Sequence, residues 1–473
     1  MLTIRFLVEA ITEERITGLG ELITDAVVDS RQATPGGLFV AMDGESQDGH
    51  DYVADAFERG AVAALVERDI PLEASSLDLR KPLASQLKDD LEPPIILRVV
   101  STLKALQTAA MAWRKQSEAR VIGITGSVGK STTKELVADV LSRRYKTVRS
   151  PGNLNNEIGL PLSLLRLTEA HERAVLEMGF YIPGEIKLLC DIAKPQIGVV
   201  TNISQVHLER AGSMDAIMRG KGELVEALPP APEGVAILNY DDPLVRELAE
   251  RTQARVFYYG LSPEADLWAS DVEGLGLEGL RCVVHHGEDA IHCRVPLLGR
   301  HSVHTILRAA SVGIVEGLSW SEIIGGLQDT HSQLRLVAVQ TTSGALLLDD
   351  TYNAAPPSVI AALNLLDDLE GRKIAVLGDM LELGEFEERG HRMVGGRAAQ
   401  VVDLLIAVGE RAQWIAEEAR AAGLSESRVV ALESGDDVIE YLDEKVGEGD
   451  VVLVKGSHGM RLDRIVSALE EIE

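Results

Sequence analysis

The stretch "VIGITGSVGKSTTKE", residues 121–135, decides the fold. An apolar strand runs into a glycine turn, and Lys130-Ser131 opens a helix. Strand, glycine-rich turn and helix N-terminus together form the setting in which a backbone cradles nucleotide phosphates. Gly126 and Gly129 let N–H groups approach the phosphates, Lys130 reaches the β/γ-oxygens, and Ser131 offers its hydroxyl to Mg²⁺. The strict spacing Gly-x-x-x-x-Gly-Lys would place a glycine at 124, where Ile124 stands. The loop alone does not choose between a switch, a kinase and a ligase. No Asn-Lys-x-Asp is present to read guanine, which argues against a GTPase.

The chain has 473 residues, enough for two to four domains at roughly 100–200 residues each. Apolar residues make up 45% and aromatics only 4%, so the cores are built from Ala, Val, Leu and Ile. A net charge of −28 argues against a nucleic-acid partner, which needs a basic face. Anionic small ligands stay possible, because a few local cations and N–H groups suffice. The cysteines Cys190, Cys282 and Cys293 form no Cys-x-x-Cys pair, so neither a disulfide framework nor a zinc site is expected. The N-terminal "MLTIRFLVEAITEE" carries acids where a signal peptide needs an apolar core, and no apolar run approaches the ~18 residues of a membrane span. The expectation is a cytoplasmic, soluble protein.

Outward from the loop, "RVIGIT", "RAVLEMG", "IGVVTNI" and "GVAILNY" alternate with helical stretches, the rhythm of a parallel sheet. Near residue 334 the rhythm restarts with "ALLLDDTY", "KIAVLGDM", "DLLIAVGE" and "DVVLVKGS". Three α/β domains are expected: a small N-terminal one over 1–118, a central phosphate-loop domain with a parallel sheet over 119–333, and a Rossmann-like one over 334–473. Residues 67–94 are polar, proline-bearing and without period, and read as a long loop or insertion.

Glu177 ends the strand of "VLEMG", so it can sit beside Ser131 and complete a Mg²⁺ site, or simply cap a helix. His207 follows the strand of "VVTNISQVHLERAGS" and, taken alone, reads as structural. Lys221, between glycines in "MRGKGELVEAL", reads alone as a solvated or phosphate-facing cation.

Taken in order, "TGSVGKST", "NNEIGLPLSLL", "LEMG", "TNI…HLE", "KGE", "GRH", "DDTYNAAP" and "LGDMLELGE" resemble the Mur ligases, the ATP-dependent amide ligases of peptidoglycan assembly. The resemblance covers nearly the whole chain apart from 67–94. It implies ATP held by Thr125, Gly126, Ser127, Val128, Gly129, Lys130, Ser131 and Thr132. It also implies two Mg²⁺ ions on Ser131, Glu177, His207 and Lys221, with Lys221 carbamylated by CO₂ into a carboxylate-like ligand. Lys130, Glu177, His207 and Lys221 are the implied catalytic set. His301, Ser302, Asp350 and Asn353 bracket adenine and ribose, and Arg335 clamps phosphates when the domains close.

The same resemblance implies that Ser30, Arg31 and Asp48-Gly49-His50 contact the uridine-nucleotide end of a UDP-muramoyl-peptide. Asn153, Asn155, Asn156 and Glu157 face its sugar or peptide. Asp379, Glu382 and His391 are expected at the incoming amine, with Lys455 at the acceptor cleft. "LGDMLELGE", with no Asp-Asn-Pro-Arg, points to the last step, addition of D-alanyl-D-alanine to the UDP-muramoyl-tripeptide. Ser302, Thr305 and Ala355 replace the family's asparagines, and His458 its arginine. A monomer is expected. Another Mur-type ligase (third-residue-adding or folate-like), a kinase, and an inactive nucleotide-binding regulator remain as alternatives. The third residue of the peptide is not legible.

Overall fold

The computed structural model describes every residue except 45–46, 88–90, 206–207, 330–336, 342, 443–444 and 472–473. Three sheets lie in sequence along the chain.

The first has five parallel strands in the order Ala26–Val27, Leu38–Val40, Ala63–Val66, Ile95–Arg98 and Ser75–Asp78. Ala63, Ala64, Leu65 and Val66 are all fully buried, as expected for a strand covered on both faces. Residues 67–94 differ from the expected loop. They supply the edge strand Ser75–Asp78 and a short 3₁₀ turn, Leu83–Ser85, and they bury Leu77 and Leu83 completely. Gln86 closes this segment, its amide bonding both the N–H and the C=O of Asp78 at 2.9 Å. A four-residue edge strand shows too few alternations to stand out against polar neighbours.

Helix Thr102–Gln116 joins the first unit to the second. Its Trp113 Nε1 donates to Leu167 O at 2.9 Å, and its buried Arg114 Nε donates to Ala193 O at 2.8 Å. One apolar core therefore runs across both units.

The second sheet has nine strands. In space they run Asp289–Val295, Leu280–His286, Leu267–Gly274, Arg255–Gly260, Val235–Asn239, Ile197–Val200, Arg120–Thr125, Arg173–Glu177 and Thr147–Arg149. The first two form an antiparallel hairpin extension that the sequence rhythm did not announce; the others are parallel. Strand Arg120–Thr125 lies between Arg173–Glu177 and Ile197–Val200. Three carboxyl ends thus meet at one place, where open α/β sheets hold ligands.

The third sheet has six strands in the order Val337–Gln340, Leu346–Asp349, Asp450–Lys455, Arg372–Gly378, Leu404–Val408 and Val429–Leu432. All pair in parallel except the first. The last strand in the chain is inserted at the centre, which sets Lys455 beside Asp350. Among the described residues no helix is long and apolar enough to cross a membrane.

Leu77→Ala should cost about 2–5 kcal/mol, the usual range for a buried leucine. Leu72→Ala, at a side chain 36% exposed, should cost clearly less. Urea unfolding of the two variants checks this, and equal small costs would return 67–94 to a surface loop.

Candidate active site

The phosphate loop is held by its neighbour strand. Gly126 has φ +142°, and a Cβ there would lie 1.8 Å from Thr201 Oγ1. Only glycine allows that approach. Thr201 Oγ1 donates to Val128 O at 2.7 Å, while Asn202 accepts from Val128 N and donates to Val128 O, both at 3.0 Å. Ser127 Oγ donates to Ser204 O at 3.1 Å and accepts from Ser204 N at 2.9 Å. Thr125 Oγ1 donates to Met178 O at 3.0 Å. Gly129, at φ +83°, caps helix Lys130–Leu141. Ile124 is a fully buried strand residue, so the glycine missing from the strict spacing falls where this loop has not yet begun. Lys130 Nζ donates to Gly126 O at 3.0 Å. Thr201 and Asn202 were missed as site residues: their role depends on which strand lies next to the loop.

Ser131 Oγ donates to Glu177 Oε2 at 2.5 Å, and Asn155 Nδ2 donates to Glu177 Oε1 at 2.9 Å. Ser131, Asn155 and Glu177, from three separate segments, thus meet at the loop, and Glu177 is 2% exposed. Lys221, in helix Met214–Glu226, is 1% exposed, its Nζ 4.9 Å from the centre of the Phe180 ring. Gly220 makes room for that ring, since a Cβ there would lie 1.9 Å from it. Burial, aided by the charge of Lys130, pushes the Lys221 amine well below the usual lysine range. Among the described residues no three His, Cys, Asp or Glu side chains form a metal-holding group. The donors present are a hydroxyl and a carboxylate, which suit a hard cation that takes its remaining ligands from phosphates. His207 and Arg335 lie outside the described residues.

Between the central and C-terminal domains is a cavity of about 510 Å³. The loop from Ser127 to Thr132 forms one side; His301, Ser302, Thr305, Asp350, Asn353 and Ala355 lie on the others. Lys455, expected at the acceptor cleft, lines this cavity too. Its Nζ pairs with Asp350 Oδ2 at 2.7 Å and donates to Asn353 O at 2.8 Å. His301 is exposed along the cavity, yet the protein packed around it and the neighbouring His304, Arg308 and Lys455 push its imidazole down to about 4. Ser302 Oγ donates to Leu298 O at 2.6 Å, and His304 Nε2 meets Asp241 Oδ2 at 2.9 Å.

The expected substrate contacts fall into two groups. Arg31 is 81% exposed at its side chain and pairs with Asp29 at 2.8 Å. Ser30 is buried. His50 has both ring nitrogens engaged, Nδ1 with Asp48 Oδ1 at 2.5 Å and Nε2 accepting from Glu67 N at 2.9 Å. Gly49 packs against Met42, where a Cβ would lie 2.8 Å from its N. Asp48, Gly49 and His50 therefore form a closed corner, with the Asp48 carboxyl lowered to about 2 by the backbone N–H of His50. Asn156 Oδ1 accepts from Gly159 N at 2.9 Å, at the start of helix Gly159–Leu165, and Glu157 O accepts from Gln107 Nε2 at 3.1 Å. Asn153 is exposed on the same loop.

In the C-terminal domain Asp379 is 4% exposed, and its Oδ1 accepts from Ala412 N at 2.7 Å. His391 is fully buried: Nε2 accepts from Met380 N at 3.0 Å and Nδ1 donates to Glu387 O at 2.7 Å. These bonds hold the 377–385 turn in place. Glu382, at φ +64°, pairs with Arg210 of the central domain at 3.3 Å.

Burial holds the His391 imidazole below its ordinary value, outweighing the nearby Glu387 and Asp379. The unfolded chain therefore binds this proton more readily. Stability from His391 is present above the unfolded pKa of about 6.5 and is lost as pH falls below it. His391→Gln should be less stable at pH 8 yet show a shallower loss of stability from pH 7 to 5, as read from thermal melts.

Comparison with known proteins agrees with this architecture. Sequence profiles match residues 23–114 as "Mur ligase family, catalytic domain", 124–313 as "Mur ligase middle domain" and 334–458 as "Mur ligase, glutamate ligase domain". The chain is 35% identical over 454 residues to a UDP-N-acetylmuramoyl-tripeptide--D-alanyl-D-alanine ligase of Bacillus subtilis, covering 95% of this chain and 94% of that one. It is 33% identical over 460 residues to the enzyme of that name from Escherichia coli, covering 95% of each. A crystal structure of MurF from Acinetobacter baumannii superposes with TM-score 0.83 at 29% identity, covering 99% of both chains. MurF ligase from Thermotoga maritima in complex with ADP superposes with TM-score 0.77 at 27% identity, covering 95% of this chain and 97% of that one. The chain belongs to the Mur ligase family.

Proposed function

We propose that this chain joins D-alanyl-D-alanine to UDP-N-acetylmuramoyl-tripeptide, consuming ATP. The observation that carries the reading is Ser131 bonded to Glu177 at the mouth of a braced phosphate loop, in a chain related along its whole length to ligases of that name. Relatives at 33–35% identity carry it, which favours this step over addition of the third residue.

A carboxylate is a poor electrophile. Its oxygen attacks the γ-phosphorus of ATP, ADP leaves, and an acyl phosphate forms. The amine of D-alanyl-D-alanine then attacks the acyl carbon, the C–O bond to phosphate breaks, the amine loses a proton, and an amide remains. In this scheme the loop N–H groups and Lys130 hold the phosphate chain, and Lys455, Asp350 and Asn353 face the nucleoside end. The protein mainly positions reactants and stabilises charge. Mg²⁺ bound by Ser131 and Glu177 would neutralise the transferring phosphoryl group; two ions are proposed, with His207 and Lys221 completing the set. Carbamylation requires a neutral amine, and the depressed basicity of Lys221 supplies one. The acyl phosphate must be kept from water, which suits a site between domains; Arg210 and Glu382 already span that gap. All these groups come from one chain, so we read a monomer, working in the ATP-rich cytoplasm.

The deciding experiment is ADP release from ATP, Mg²⁺ and UDP-muramoyl-tripeptide, with and without D-alanyl-D-alanine, the product weighed by mass spectrometry. Amine-dependent release with a pentapeptide product is expected. Turnover only with another amine would reassign the substrate, and none with any amine would favour a regulator. Lys221→Ala should lose more than the about 10–100-fold typical of a metal site's supporting residues, with partial recovery in a short carboxylate such as acetate. Full activity without rescue would remove Lys221 from the site. Lys455→Ala should raise KM for ATP about 10-fold or more, from a lost charged hydrogen bond, and leave KM for the dipeptide unchanged in steady-state assays.

A further inference from the structure

Arg308 lies on helix Val303–Val315, is 5% exposed, and faces the cavity beside the phosphate loop. Nothing in the expected site contained it. Its Nη1 donates to Thr133 Oγ1 at 2.6 Å, and its Nε donates to His304 O at 2.9 Å. A Cβ at Gly129 would lie 3.1 Å from Nη1 and 3.7 Å from Nη2. The guanidinium therefore rests against the residue that caps helix Lys130–Leu141. The Tyr259 ring is 5.9 Å away. Among the described residues no carboxylate pairs with Arg308.

This placement is electrostatically unfavourable by itself. A helix N-terminus carries roughly half a positive charge. A desolvated guanidinium at that end is repelled by it, and a buried charge without a counter-charge is costly. Thr133 and the His304 carbonyl satisfy hydrogen bonds but supply no negative charge. On the same side of the cavity Ser302 turns its hydroxyl to Leu298 O, and His304 is engaged by Asp241. An anion at the loop would relieve the repulsion and meet the planar fork, whose geometry suits phosphate oxygens.

We propose that Arg308 clamps the phosphate chain of ATP, gripping it beside Gly129 together with Lys130 and so fixing the γ-phosphoryl group for transfer. The assignment rests on the ATP reading above.

The test is equilibrium titration of the purified full-length protein with ADP and, separately, with adenosine. Wild type, Arg308→Met and Arg308→Lys are compared, with KM for ATP and kcat measured on the same preparations. Arg308→Met should weaken ADP about 10- to 100-fold, as for a lost charged hydrogen bond, and leave adenosine within about two-fold. It should raise KM for ATP more than it lowers kcat. Arg308→Lys keeps the charge without the fork and should recover part of the ADP affinity. Should Arg308→Met fail to fold, Arg308→Lys carries the test, with ADP weakened and adenosine unchanged. Unchanged ADP affinity would overturn the proposal. So would equal loss of ADP and adenosine, which would make Arg308 a strut acting through Thr133. A wild type that binds no ADP would instead overturn the ATP reading itself.

Discussion

The site depends on one close approach, that of Gly126 to Thr201. With a Cβ position only 1.8 Å from the threonine hydroxyl, the phosphate loop can lie flat on the next strand's end, where Thr201 and Asn202 grip Val128. The loop is thereby preorganised, and its N–H groups need little rearrangement to receive a polyanion. Everything else is positioned relative to it. Glu177 arrives from the strand on the other flank, Asn155 steadies that carboxylate, and the C-terminal domain brings Asp350 and Lys455 over the top.

Charge explains why a chain of net charge −28 handles an anionic nucleotide. The relevant cations are few and gathered around one cavity, two of them, Arg308 and Lys455, buried. Lys130, Arg308 and Lys455 all line it, and Lys455 pairs there with Asp350. Lys221 is deeper and is pushed towards its neutral form by burial and by Lys130. One neighbourhood thus holds a lysine on the phosphate loop and a second one whose amine burial pushes towards neutrality.

The phosphate loop and the parallel rhythm were legible because both are local patterns. The meeting of Glu177 with Ser131 was legible because both lie at the carboxyl ends of neighbouring strands. What escaped the sequence was relational. Thr201 and Asn202 act on a loop more than seventy residues away in the chain. Lys455 lines the same cavity as the phosphate loop because the last strand is inserted beside Leu346–Asp349, a placement no local pattern announces. The ring nitrogens of His50 and His391 are both taken up internally, and a sequence cannot show whether a histidine's partners are ligands or its own backbone. The strand Ser75–Asp78 was hidden by its brevity.

The measurement closest to the central claim follows an oxygen atom. UDP-muramoyl-tripeptide labelled with ¹⁸O in its terminal carboxylate is turned over with ATP and D-alanyl-D-alanine, and the released phosphate is weighed. Activation of the carboxylate by phosphoryl transfer predicts one ¹⁸O in each phosphate, carried across when the acyl C–O bond breaks. Phosphate without label would contradict an acyl phosphate and, with it, the role assigned to the loop, Ser131 and Glu177.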